Sequence, residues 1–84
     1  MNSRGLDIIL EGVLKDLGLN YYKDKDFGFY KIYSPEKNMS YVVNTPNTLK
    51  ELGKYITNIV NYFEKHDNFA EMFRKYYDKH IQNK

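Results

Sequence analysis

Asp26-Phe27-Gly28 has the letters of the tripeptide with which phosphoryl-transfer enzymes hold magnesium. That chemistry also needs a glycine-rich loop over the phosphates, a strand lysine and a catalytic loop. The five glycines stand singly at positions 5, 12, 18, 28 and 53, so nothing cradles a phosphate and the tripeptide reads as coincidence. His66 and His80 could approach one another across a helical hairpin, with Glu64 or Asp67 beside them. A metal ion wants three or four converging ligands at a recognisable spacing, and no such spacing occurs in a chain without cysteine. His66 reads instead as a helix C-terminal residue favoured by the dipole, and His80 as a surface residue. Nucleophilic catalysis needs a hydroxyl or thiol beside a base. Ser3, Ser34 and Ser40 fall at a terminus, a turn and a strand. The expectation is a protein that is not an enzyme and takes no cofactor and no metal.

Two groupings suited to contact remain. The stretch Lys23–Val43 sets Phe27, Phe29, Tyr30, Tyr33 and Tyr41 around single lysines. Helix-like "FRKYYDKHIQNK" interleaves Arg74, Lys75 and Lys79 with tyrosines, which suits phosphate contact with base stacking. It equally suits a peripheral helix whose tyrosines pack and whose lysines face water, and Glu71 and Asp78 dilute its charge.

The elements that must carry these groups follow from periodicity. Leu6, Ile9, Leu10, Val13, Leu14 and Leu17 fall on one face of a first helix, with Ser3 as its cap and Gly18-Leu19 as a Schellman stop. Three strands follow, "LNYYK", "FGFYKIYS" and "MSYVVNT". The turn Asp24-Lys25-Asp26 joins the first two. "SPEKN" joins the last two, with Asn38 suited to a left-handed backbone. A second helix starts at Thr45-Pro46 or at Thr48, which makes a capping-box pattern with Glu51, and buries Leu49, Leu52, Ile56, Ile59, Val60 and Phe63. "KHDN" interrupts it, and Asn68 with Glu71 opens a third helix carrying Phe69, Met72, Phe73, Tyr76 and Tyr77. The reading is an α+β fold, a small single compact domain over 1–84 of order αβββαα, its three-stranded antiparallel sheet packed on helices.

Alternation sends Phe27, Phe29, Lys31 and Tyr33 to one side of the second strand and Gly28, Tyr30, Ile32 and Ser34 to the other. In the third strand Met39, Tyr41 and Val43 oppose Ser40, Val42 and Asn44. Two outcomes stand open: the third helix covers the second face of the sheet, or that face is left as an aromatic contact site.

Composition bounds the rest. A chain of this length buries about 60–65% of its unfolded surface, and small scaffolds of that kind lean on staples or on a partner. Residues 1–68 hold nine basic against nine acidic side chains, so the +2 net charge sits wholly in the C-terminal stretch. That is short of the basic patch of a dedicated nucleic-acid binder. No apolar run nears the ~20 residues that span a bilayer, and Asp7 and Glu11 break the first apolar stretch, so no membrane partner and a cytoplasmic location are expected. One alanine, and eleven lysines against two arginines, point to an AT-rich genome of a Firmicute-like bacterium, its phages or its plasmids.

Over residues 3–63 the order αβββα resembles the double-stranded-RNA-binding domain and the HicA-type toxins. The first resemblance implies a lysine-rich start to the second helix, where this chain has "TPNTLKELGK" with Lys50 and Lys54. The second implies a strand histidine, which these strands lack. With extra C-terminal helices the order also looks like small phage-borne inhibitors of Cas nucleases, which implies a non-catalytic blocker of a protein surface. The expected function is a protein-binding module, an inhibitor or regulator of a host protein from a mobile element. It would dock Phe29, Lys31, Tyr33 and Tyr41 as a Tyr-rich surface. The alternative is a small RNA or DNA binder using Lys31, Arg74, Lys75 and Lys79, and a homodimer through the same surfaces stands beside both.

Overall fold

Six apolar side chains on one helical stripe fix the first element. In the computed structural model, which describes residues 3–65 together with Glu71, Arg74, Lys75 and Asp78, helix α1 runs Ser3–Asp16. Ser3, the expected cap, is the first described residue of the helix. Leu6, Ile9, Leu10, Val13 and Leu14 are buried, and so is Leu17 in the turn that follows. Gly18 adopts φ 76°, its N–H donating to the Lys15 carbonyl and that of Leu19 to the Leu14 carbonyl, each at 3.0 Å. These are the two bonds of the expected Schellman stop.

Strands β1 (Asn20–Asp24), β2 (Phe29–Ser34) and β3 (Met39–Asn44) form an antiparallel sheet in that spatial order. Both hairpins turn over four residues by the same device. The Gly28 N–H donates to the Asp24 carbonyl (2.9 Å) and the Asn38 N–H to the Ser34 carbonyl (2.8 Å), with Gly28 and Asn38 both at positive φ. The side chain that opens each turn accepts from within it. Asp24 Oδ1 takes the N–H groups of Asp26 and Phe27 at 3.0 Å, and Ser34 Oγ takes that of Lys37 at 3.2 Å. Phe27 thereby lies in the turn and not in the strand where alternation had placed it.

Helix α2 (Leu49–Phe63) opens on Thr48, whose Oγ1 accepts from the Glu51 N–H at 3.1 Å. The Glu51 carboxylate reaches back to the Asn47 N–H at 2.8 Å, one residue before the usual target of a capping box. Leu52, Ile56, Ile59, Val60 and Phe63 are buried, with Leu49 partly so. The helix closes on Glu64 in the left-handed region at φ 57°, with the Lys65 N–H on the Val60 carbonyl at 2.9 Å. Two crossed ion pairs, Lys37–Glu64 (3.1 Å) and Lys65–Glu36 (3.5 Å), tie this end to the β2–β3 turn.

The described elements run αβββα in a single α+β layer pair: α1 packs on β1 and on α2, and α2 packs on β3. The core holds the two helical stripes with Leu19, Tyr30, Ile32 and Val43. The expected third helix falls outside the described residues, apart from Glu71, Arg74 and Lys75, which are helical, and Asp78. Among the described residues no helix is long and apolar enough to cross a membrane.

Candidate interaction surface

Register decides which rings share a face. The pairs Tyr22–Lys31 and Lys31–Val42 make one row across the sheet, flanked by the rows Asn20–Tyr33–Ser40 and Asp24–Phe29–Asn44. These nine residues make the face turned away from both helices, since their neighbours in β2 and β3, Tyr30, Ile32 and Val43, are buried in the core. The third helix, whose placement decides between the two arrangements open from the sequence, lies outside the described residues apart from Glu71, Arg74, Lys75 and Asp78; neither described helix, α1 nor α2, covers this face. Tyr22 is 63% exposed, Val42 56% and Tyr33 38%. Tyr22 and Val42 stand on either side of Lys31, so the lysine stem continues an apolar strip across all three strands. The Tyr33 hydroxyl donates to Asn38 Oδ1 at 2.8 Å, which fixes that ring beside the turn. Phe27, 81% exposed, projects from the tip of the first hairpin.

The four residues expected to form one surface divide. Phe29, Lys31 and Tyr33 lie together on the outer face. Tyr41 does not join them: it pairs with Ile32 on the core face, its ring centroid 4.7 Å from that of Tyr62 and 6.5 Å from that of Phe63. The turn from Ser34 to Asn38 sets Ser34 opposite Met39, and alternation then carries Tyr41 inward. Tyr22 and Val42 take its place on the outer face. Both were visible as strand residues, but only the register shows that they flank Lys31.

The basic residues divide as well. Arg74 and Lys75 are exposed, and Lys75 Nζ lies 3.1 Å from Asp16 Oδ2 at the end of α1, on the helix side of the sheet. Lys31 is on the opposite side, and Lys79, like His66 and His80, lies outside the described residues. Among the described residues the outer face offers one cation, Lys31, against one carboxylate, Asp24. A phosphate backbone would meet no continuous positive track there.

A second polar grouping, unread from the sequence, sits between α1 and the sheet. The fully buried Tyr30 donates its hydroxyl to Glu11 Oε2 at 2.6 Å, and Tyr21 donates to Glu11 Oε1 at 3.2 Å. Lys23 Nζ binds Asp7 Oδ2 at 2.6 Å and lies 5.7 Å from the centre of the Tyr30 ring. Burial, followed by the bond to Glu11 and the nearby carboxylates, holds the Tyr30 phenol far above the ordinary tyrosine value, and Tyr21 is raised by burial and then by Glu11. A phenol held protonated in this way is a poor proton acceptor or donor near neutral pH, so the grouping serves as a clamp between helix and sheet. The signal for it was the spacing of Asp7 and Glu11, one turn apart on the flank of an otherwise apolar stripe. Asp7 Oδ1 is buried with no donor among the described residues, beside an open cleft of about 270 Å³ whose rim includes Lys23, Asp24 and Thr45. Among the described residues no three acidic or histidine side chains gather as a metal site would require.

Compared with known proteins, the chain matches no family model, no curated sequence and no solved structure.

Proposed function

We propose that this protein is a non-catalytic binding module that docks the outer face of its sheet on another protein, as an inhibitor or regulator of a host protein carried by a phage or other mobile element. The observation that supports the reading is the strip Tyr22–Lys31–Val42, exposed across three strands on the face opposite both helices. Rings and aliphatic carbons in one contiguous patch gain from losing water only against another surface. Tyrosine supplies such contact area at low entropic cost, and the near-cancelling charge of the face fits a protein partner better than a nucleic acid.

A photo-crosslinking side chain at position 42, in extract of the source cells, tests the proposal. A discrete protein adduct is expected, lost when Tyr22→Ala is added and kept when Lys75→Ala is added. Equal adduct yield with and without Tyr22→Ala would sink the reading. Retention of duplex RNA or single-stranded DNA that drops by orders of magnitude between about 50 and 200 mM salt would replace it with the nucleic-acid reading.

A further inference from the structure

A three-stranded sheet has two edges, and they differ in this protein. β1 carries Lys23 and Asp24, charges of the kind that discourage a further strand. β3 reads Met39-Ser40-Tyr41-Val42-Val43-Asn44, with no charge and no proline. The Thr45 N–H bonds the Gly28 carbonyl at 2.9 Å, in phase with the pairs Tyr30–Val43, Ile32–Tyr41 and Ser34–Met39. Hydrogen-bonded pairs alternate in an antiparallel ladder, so the backbone groups of Ser40, Val42 and Asn44 point out of the sheet. Among the described residues no hydrogen bond outside the ladder ends on any of these three.

That edge borders an open groove. It forms one wall of a groove of about 280 Å³, running along β3 from Tyr41 to Asn44 and closed on the other side by Lys54, Tyr55 and Asn58 of α2. The half-buried rings of Tyr41 and Tyr55 give it an apolar floor, and Lys54 and Asn58 a polar rim. Among the described residues no carboxylate lines it and Lys54 pairs with none. From unpaired strand backbone, an apolar floor and an unmatched lysine, we infer that the groove between β3 and α2 takes an extended acidic peptide segment of another protein as a fourth strand. Backbone bonds to Ser40, Val42 and Asn44 would supply affinity, a side chain over Tyr41 and Tyr55 the register, and a carboxylate at Lys54 the selectivity. A second copy of this chain fits less well. Edge-to-edge pairing about a two-fold axis normal to the sheet would set both α2 helices along one seam and bring like charges, Lys54 on Lys54, towards each other. The groove opens on a different side from the outer face: the two meet along β3 at Ser40, Val42 and Asn44, whose side chains belong to the face and whose backbone groups belong to the groove.

The test uses the full chain and fluorescent hexapeptides in which the alternate positions that share one face carry valine and glutamate, or valine and lysine, with threonine between them. The valine–glutamate peptide should bind about tenfold more tightly than the valine–lysine one, and Lys54→Glu should reverse that order. Methylating the backbone nitrogens of alternate residues should abolish binding in one phase and leave it in the other, because only one set of N–H groups meets β3. Tyr22→Ala should leave peptide binding unchanged, so the groove and the outer face stand or fall separately. No binding of either peptide at about 1 mM would overturn the inference. So would indifference to Lys54→Glu, equal response to both methylation phases, or sedimentation as a dimer that excludes the peptides.

Discussion

Glu11 is the residue on which helix and sheet are most closely joined, because its two oxygens accept from two different tyrosines. Glu11→Ala leaves the Tyr30 hydroxyl buried without an acceptor, which costs about 1–3 kcal/mol by the usual penalty for a stranded polar group. Tyr30→Phe in the same chain removes the stranded donor. Urea unfolding should therefore show the double variant losing less than the sum of the singles, and strict additivity would mean that the bond is not made. The same phenol sets a pH limit. Its value is raised in the folded protein, so above about pH 10 the unfolded chain releases a proton that the folded one keeps. The unfolded state then binds fewer protons, and stability falls with rising pH at up to about 1.4 kcal/mol per unit for this group. Below about pH 10 its contribution is constant. Unfolding midpoints measured from pH 8 to 11 should drop more steeply for the wild type than for Tyr30→Phe.

At the scale of elements, the two helices end by the same bonds on different residues, and the difference predicts a substitution. Gly18 accepts its left-handed backbone without strain, whereas Glu64 at φ 57° carries a β-carbon into that region. Glu64→Gly should raise stability by about 0.5–1 kcal/mol, since the Lys37 pair it removes is exposed at the glutamate and worth little. A loss of stability in urea melts would show that pair to be stronger than its exposure implies. This contrast also marks where the sequence was legible. Glycine at the end of a periodic stripe announces the end of α1, while α2, closed on Glu64 without a glycine, ends directly before the interruption "KHDN" that marks it in the sequence. Both apolar stripes and the left-handed Asn38 could be read locally because each depends on its own neighbours. The side on which Tyr41 lies could not, because it depends on how β2 and β3 align across a turn. Phe29, Lys31 and Tyr33 were grouped correctly since one strand alone settles them, and Tyr22 and Val42 were missed since their association needs three.

For the whole molecule, the consequence is a sheet with one face spent on its core and one face carrying rings that, among the described residues, no core residue packs against. A chain this small has little stability to spare, so rings left in water are expected to matter to something other than folding. That separates two tyrosines that composition treats alike. Tyr41→Ala removes a ring stacked on Tyr62 and packed at the edge of Phe63, and should cost about 1–3 kcal/mol. In a domain of this length such a loss lowers the melting midpoint by roughly 4–8 °C per kcal/mol. Tyr22→Ala removes a largely exposed ring whose neighbours are Lys31 and open solvent, and should move stability by no more than about 0.5 kcal/mol. Thermal melts of the two variants beside the position-42 crosslinking yield give four readings from two proteins. The docking face requires Tyr22→Ala to lose the adduct at an unchanged midpoint. If it loses both, its ring is holding the sheet together, and the outer face is an extension of the core that happens to be wet.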